Sequence, residues 1–167
     1  MNQRAVHTFI AWLEDEPGVL NRVTSLFRRR NYNILSLNVG RTHERGVSRL
    51  TCVIEADDDM ARRIEANLRK LVNVIEVQDI TYAPALVREL GLLKVSAPPE
   101  KRAEILQLAE VFRARAVDVT EDGVVLEMTG TADKLDGLVA VLRPFGILEM
   151  GRSGLIAMTR GQTRQDA

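Results

Sequence analysis

The hydrophobic period of the chain changes twice within its first forty or so residues. Residues 6–14 form an apolar run that stops at Asp15-Glu16-Pro17-Gly18, the length and boundary expected of a buried strand. Over residues 17–30, Val19, Leu20, Val23, Leu26 and Phe27 then recur at helical spacing, the apolar stripe of a helix that lies on a core. After the turn Asn31-Tyr32-Asn33, Leu35, Leu37 and Val39 alternate as a second strand. His43-Glu44-Arg45-Gly46 reads as a hairpin into a third strand, where Leu50, Cys52 and Ile54 alternate. Asp57-Asp58-Asp59 leads into a helix with Met60, Ile64, Leu68 and Leu71 on one face, and residues 72–82 give a fourth strand. The order is βαββαβ, the ferredoxin-like plan.

After a short linker at Ala83-Pro84-Ala85 the pattern repeats. Residues 87–97 form a strand, and Pro98-Pro99 opens a helix with Ile105, Leu108, Ala109 and Phe112 inward. Residues 116–120 and 124–129 are strands about a turn at Glu121-Asp122-Gly123. Residues 131–142 are helical, and residues 147–159 supply a last strand or strands broken at Gly151-Arg152-Ser153-Gly154. The expected fold is α+β: a first domain over residues 1–82, a second over 86–161, and a polar tail at 162–167. Domains this small often gain stability by association.

Composition narrows the function classes. Hydrophobic residues make up 46% of the chain, enough for a core. Lys+Arg and Asp+Glu are both 23, a balance that argues against nucleic acid, whose partners carry a basic surface. The single cysteine, Cys52, excludes an internal disulfide and any all-cysteine metal site. No apolar run is long enough to span a membrane, and no signal-peptide pattern opens the chain. A cytoplasmic location is expected.

Chemistry concentrates at the first strand-to-helix junction. Pro17 suits the first helical position, where its missing N–H costs nothing. Gly18 would then sit in the first turn, where glycine is a poor helix former. A glycine there leaves the backbone N–H groups approachable, and with the helix dipole they favour an anion such as a carboxylate. Asp15 and Asn33 could hold an ammonium, and Val19, Leu20 and Ile34 could wall an apolar side chain. These groups together would receive a free amino acid. The same residues also read as a helix cap and a turn asparagine, and spacing alone leaves both readings open.

Other constellations read as structure. His7 in a strand and His43 in a hairpin show no triad or metal spacing. Cys52 lies on an apolar strand face, a buried thiol. Asp57-Asp58-Asp59 lacks the spaced ligands of a calcium loop and reads as helix N-terminal charge. Arg28-Arg29-Arg30 complements a helix C-terminus. Gly151-Arg152-Ser153-Gly154 matches no phosphate-binding fingerprint. No catalytic or metal-binding residue is expected.

The chain resembles the regulatory (small) subunits of acetolactate synthase. The resemblance rests on Glu14-Asp15-Glu16-Pro17-Gly18-Val19-Leu20, on Leu26 through Ile34, and on Ser48-Arg49-Leu50-Thr51. It continues through Lys70-Leu71-Val72-Asn73-Val74, Arg88-Glu89-Leu90, Val117-Asp118-Val119, Thr129-Gly130-Thr131 and Arg152-Ser153-Gly154. It implies an N-terminal ACT domain, an amino-acid-binding module, followed by an ACT-like ferredoxin domain. It further implies at least a homodimer whose ACT domains pair side by side, with valine or another branched-chain amino acid at their interface. Carried over by motif, Asp15, Gly18, Val19, Leu20, Asn33 and Ile34 fall at the effector loop. The implied role is non-catalytic: activating the large catalytic subunit and conferring end-product inhibition in branched-chain amino acid biosynthesis. Thiamine diphosphate, magnesium and flavin would belong to that partner. Some members carry Asn at the position of Asp15. In place of a frequent Arg-Gly-Tyr/Phe-Asn the chain has Arg30-Asn31-Tyr32-Asn33, a mild change because Asn tolerates a left-handed backbone. Two rival readings are a free-standing ACT sensor for another enzyme and a small hydrolase on a ferredoxin-like scaffold. The hydrolase would need an anion-binding Arg paired with a water-positioning Asn, which the sequence does not place.

Overall fold

The computed structural model describes residues 4–161; the polar tail expected at 162–167 lies outside them. The described residues form two compact units, 4–86 together with 155–161, and 87–154. The sequence pattern runs the second domain on to residue 161. The contacts instead return the chain to the first unit from Leu155 onward.

In the first unit the order is β1 (Ala5–Glu14), α1 (Val19–Arg29), β2 (Ile34–Arg41), β3 (Val47–Ala56), α2 (Asp58–Arg69) and β4 (Val74–Asp79). The antiparallel sheet is ordered β2-β3-β1-β4, so β2 and β4 are its edges. Register places Phe9 opposite Cys52 and Ala11 opposite Leu50 and Val77. Those side chains form one core with Val19, Val23, Leu26 and Phe27 of α1 and with Ala61, Ile64 and Leu68 of α2. Each large side chain buried there contributes roughly 1.5–3 kcal/mol. The alternation that marks the strands therefore faces the stripes that mark the helices.

Local chemistry closes the elements. Asp57 caps α2 by accepting from the Met60 N–H at 2.7 Å, and Asp58 and Asp59 occupy the first turn. The acidic run is thus helix N-terminal charge. Asn31 takes a left-handed backbone at φ 55° directly after α1, as expected for asparagine standing where glycine is common. Gly46 turns the β2–β3 hairpin at φ 80°.

The second unit repeats the plan: β5 (Ala85–Ser96), α3 (Pro99–Val111), β6 (Arg115–Val119), β7 (Gly123–Gly130), α4 (Ala132–Leu142), a 3-10 turn at Arg143–Phe145, and β8 (Ile147–Arg152). Four of the five strands of its sheet run in the order β6-β7-β5-β8, the order of the first sheet. Leu93, Val95, Leu126 and Met128 pack with Ile105, Ala109, Leu135, Leu138 and Leu142. Gly91 lets α4 approach β5, because a Cβ there would fall 2.6 Å from the Leu135 Cδ2. Glu89 is buried and held by Arg152 at 2.6 Å, whose guanidinium also reaches Asp136 at 2.6 Å. The Gly151-Arg152-Ser153-Gly154 segment is therefore an ion-pair anchor and a turn.

The break at that segment yields a further strand, β9 (Ile156–Thr159). It runs with the first unit: the Leu155 N–H donates to the Ser36 hydroxyl at 2.9 Å, and the Arg160 N–H donates to the Pro84 carbonyl at 2.8 Å.

Candidate functional site

The turn from β1 into α1 differs from the expected one in its start. The helix begins at Val19 rather than Pro17, and Gly18 is the N-cap in a left-handed conformation, φ 86°. Gly18 is thus required by its backbone angle, which L side chains adopt at a cost of about 1–2 kcal/mol, and is not a weak residue inside the first turn. Pro17 precedes it, outside the helix. The sequence could not show this, because Pro-Gly is compatible with a helix start at either residue.

No side chain caps α1, and no acidic residue lies in its first turn. The Val19 N–H makes a long bond to the Glu16 carbonyl at 3.4 Å, and the first intrahelical bond runs from the Arg22 N–H to the Gly18 carbonyl at 3.1 Å. The Leu20 and Asn21 amides between them have no backbone partner among the described residues. Orphan donors at a helix start, backed by the helix dipole, are the physical basis of an anion site. A Cβ built on Gly18 meets nothing within 4 Å, so the space over this turn is open.

Asp15 holds the turn in place. Its Oδ1 accepts from the Ser48 hydroxyl at 2.9 Å, its Oδ2 pairs with the Arg41 Nε at 3.1 Å, and its N–H donates to the Gly46 carbonyl at 2.8 Å. The carboxylate clamps the turn to both arms of the β2–β3 hairpin. Because Arg41 offsets its charge, Asp15 opposes a ligand carboxylate less than a bare aspartate would. Sequence reasoning missed Ser48 and Arg41 as its partners. The register sets Ser48 against Leu13 at the end of β1, a pairing that no local sequence pattern marks.

The other expected residues separate by role. Val19 is buried in the core, and Ile34 packs against that core from the start of β2. Neither has its whole side chain free for a ligand. Leu20 is 42% exposed on the first turn of α1. Asn33 is exposed immediately before β2, the edge strand whose outer side no described strand pairs. Glu14 and Asn73 brace the same end of the sheet: the Glu14 N–H donates to the Asn73 carbonyl at 3.0 Å, and the Asn73 side chain bridges Glu14 and Arg22.

Elsewhere, His7 is buried on β1, with Nδ1 3.3 Å from the Thr81 hydroxyl and 3.5 Å from Asp79, and Nε2 3.7 Å from Asp58. Cys52 is buried in the core, where burial pushes its thiol up to about 12. Arg28, Arg29 and Arg30 are exposed at the end of α1. Among the described residues no helix is long and apolar enough to cross a membrane.

Known proteins share this sequence and this geometry. A probable acetolactate synthase small subunit from Archaeoglobus fulgidus is 46% identical over 158 residues, spanning 95% of this chain and 99% of its own. The chain belongs to the acetolactate synthase small-subunit family. The acetolactate synthase small subunit of Mycolicibacterium smegmatis is 42% identical over 160 residues, covering 96% of this chain and 94% of its own. The crystal structure of the acetolactate synthase small subunit from Thermotoga maritima superposes with a TM-score of 0.88 at 35% identity, covering 95% of this chain and 99% of that one. Two family patterns divide the sequence. The small-subunit-like ACT domain matches residues 10–76, and the pattern described as the small subunit of acetolactate synthase matches residues 88–161. The α1 turn and Asn33 lie inside the ACT match.

Proposed function

We propose that this chain is the regulatory subunit of acetolactate synthase, acting in branched-chain amino acid biosynthesis. It has no catalytic role of its own. It binds the large catalytic subunit, raises its activity, and makes it sensitive to valine. Thiamine diphosphate, magnesium and flavin are assigned to that catalytic partner.

In this reading valine binds between two ACT domains paired along their β2 edges. Its carboxylate lies over the Leu20 and Asn21 amides, and its ammonium is held by the Asn33 side-chain oxygen, with Asp15 contributing field from its clamp. Leu20 and the exposed part of Ile34 face the isopropyl group. A homodimer is the smallest assembly that completes the pocket. The observation that carries the reading is the uncapped start of α1 behind a left-handed Gly18, within the part of the chain that matches the ACT pattern.

Regulation follows from linkage. If valine favours one dimer arrangement and the large subunit another, each weakens the other by the same factor, typically about 1–3 kcal/mol or 5–150-fold. The test is reconstitution with the large subunit from the same genome. Acetolactate formation is expected to rise several-fold on adding this chain and to fall back on adding valine. An activity indifferent to the chain would overturn the proposal, and activation that valine leaves untouched would overturn its effector half.

A further inference from the structure

The α2–β4 loop reaches the α1 turn through Asn73, and an irregularity in the sheet brings it there. The β1–β4 register shifts between Trp12 and Leu13: Trp12 pairs with Glu76, but Leu13 pairs with Val74. Ile75 is the extra residue, and it is exposed. A β-bulge of this kind re-aims the strand beyond it. In an unbroken ladder Glu14 would stand opposite Val74. The bulge brings Asn73 there instead, and the Glu14 N–H donates to the Asn73 carbonyl at 3.0 Å.

The Asn73 side chain then uses both ends of its amide. Its Nδ2 donates to the Glu14 Oε2, and its Oδ1 accepts from the Arg22 Nη1. A neutral amide thus stands between a carboxylate and a guanidinium, joining positions 59 and 51 apart in sequence. The arrangement needs a donor and an acceptor on one uncharged group, which an amide supplies. A carboxylate here would keep Arg22 but repel Glu14, and an aliphatic side chain would hold neither.

Arg22 is the residue at which the α1 ladder begins, since its N–H donates to the Gly18 carbonyl at 3.1 Å. Its charge runs against the helix. A cation at a helix N-terminus opposes the macrodipole, and α1 has no acid in its first turn. Among the described residues no carboxylate forms an ion pair with Arg22. A local rule broken without local compensation points to function. At 3.6 residues per turn, Leu20 and Arg22 lie on opposite flanks of α1, so the hold on Arg22 leaves the Leu20 flank free. Exposed charge pairs contribute little stability. What the relay supplies is geometry: it sets where the open Leu20 and Asn21 amides stand and places positive potential behind them.

We propose that Asn73 is a positioning residue of the effector site. It holds Arg22 and the first turn of α1 against the end of β1, so that the open amides and the guanidinium's field face the effector carboxylate. This role rests on the effector reading above, from which it takes its ligand.

Two readouts on the full chain separate the relay from the ligand. One is hydrogen exchange of the Arg22 amide without effector, followed by NMR. The other is valine titration calorimetry. Asn73→Ala and Asn73→Asp are each expected to speed Arg22 exchange several-fold and to weaken valine about tenfold. Adding Glu14→Gln to Asn73→Asp reverses donor and acceptor: the glutamine amide donates to the new carboxylate, which still accepts from Arg22. That double variant is expected to recover most of both losses. Asn73→Ala carries the test if Asn73→Asp fails to fold. Arg22 exchange unchanged in the single variants overturns the relay. Faster exchange with valine affinity intact overturns the positioning role and leaves Asn73 a brace. A double variant no better than Asn73→Asp also overturns it, because the order of donor and acceptor would then not matter. A native chain that binds no valine overturns the effector reading and this role with it, while Arg22 exchange still decides whether the relay exists.

Discussion

The Ser48 hydroxyl donates to the Asp15 Oδ1 at 2.9 Å, joining the turn before α1 to the second residue of β3. A contact between positions 33 apart in sequence thus fixes the loop that presents the helix amides. Ser48 is buried, and a hydrogen bond to a charged group is worth about 1.5–3 kcal/mol. Arg41 and water compensate part of its loss at this partly exposed carboxylate. Ser48→Ala is expected to lower stability by about 1 kcal/mol, read as a fall in the urea midpoint at constant m-value. Valine affinity is expected to fall with it, because the turn loses one of its anchors.

Gly18 offers a cleaner dissection of backbone from ligand. With φ at 86° and open space at the Cβ position, Gly18→Ala adds strain but no clash. The expected cost is about 1–2 kcal/mol, measured by denaturant unfolding. Gly18→Asn is expected to cost less, because asparagine tolerates the left-handed region. An equal cost for both would show that the backbone angle is not what requires glycine.

The second unit has its own sensitive point. Glu89 is 6% exposed and depends on Arg152. Arg152→Leu leaves a carboxylate buried without its partner, which costs about 3 kcal/mol or more. Replacing both, as Glu89→Leu with Arg152→Leu, is expected to recover much of that loss. The double-mutant cycle checks both statements.

Cys52 predicts a pH dependence. Burial raises its thiol from 9.0 to about 12. Below pH 9 both folded and unfolded chains keep the proton, so this group leaves stability unchanged. Between about pH 9 and 12 only the unfolded chain ionises, and stability falls as pH rises. Cys52→Ser removes this alkaline slope, at the price of a buried hydroxyl. At pH 8 the native thiol is expected to react with a disulfide reagent only as fast as the protein unfolds.

Much of the fold was legible because its two hydrophobic periods are regular. Phe9, Ala11 and Leu13 alternate against Leu50 and Cys52, while Val19, Val23 and Phe27 keep helical spacing. The break at Gly151–Gly154 and the left-handed Asn31 were also readable, since glycine and asparagine mark such geometry. The start of α1 was not. Pro17 and Gly18 are both acceptable at a helix entry, and only the backbone angle shows that Gly18 is the cap. Asp15 was legible as a functional position, but its engagement by Ser48 and Arg41 was not, because tertiary partners leave no local pattern. The same holds for Leu155, whose bond to Ser36 spans 119 positions and draws β9 back to the first unit.

The most direct test of the central claim is titration calorimetry of the full chain with valine, alongside Leu20→Asp. That substitution puts a carboxylate in the first turn of α1, where the helix dipole favours it and an effector carboxylate is repelled. The chain is expected to bind valine saturably, and Leu20→Asp to stay folded and lose that binding. Valine binding undiminished in a folded Leu20→Asp variant would contradict the placement of the effector at the α1 turn.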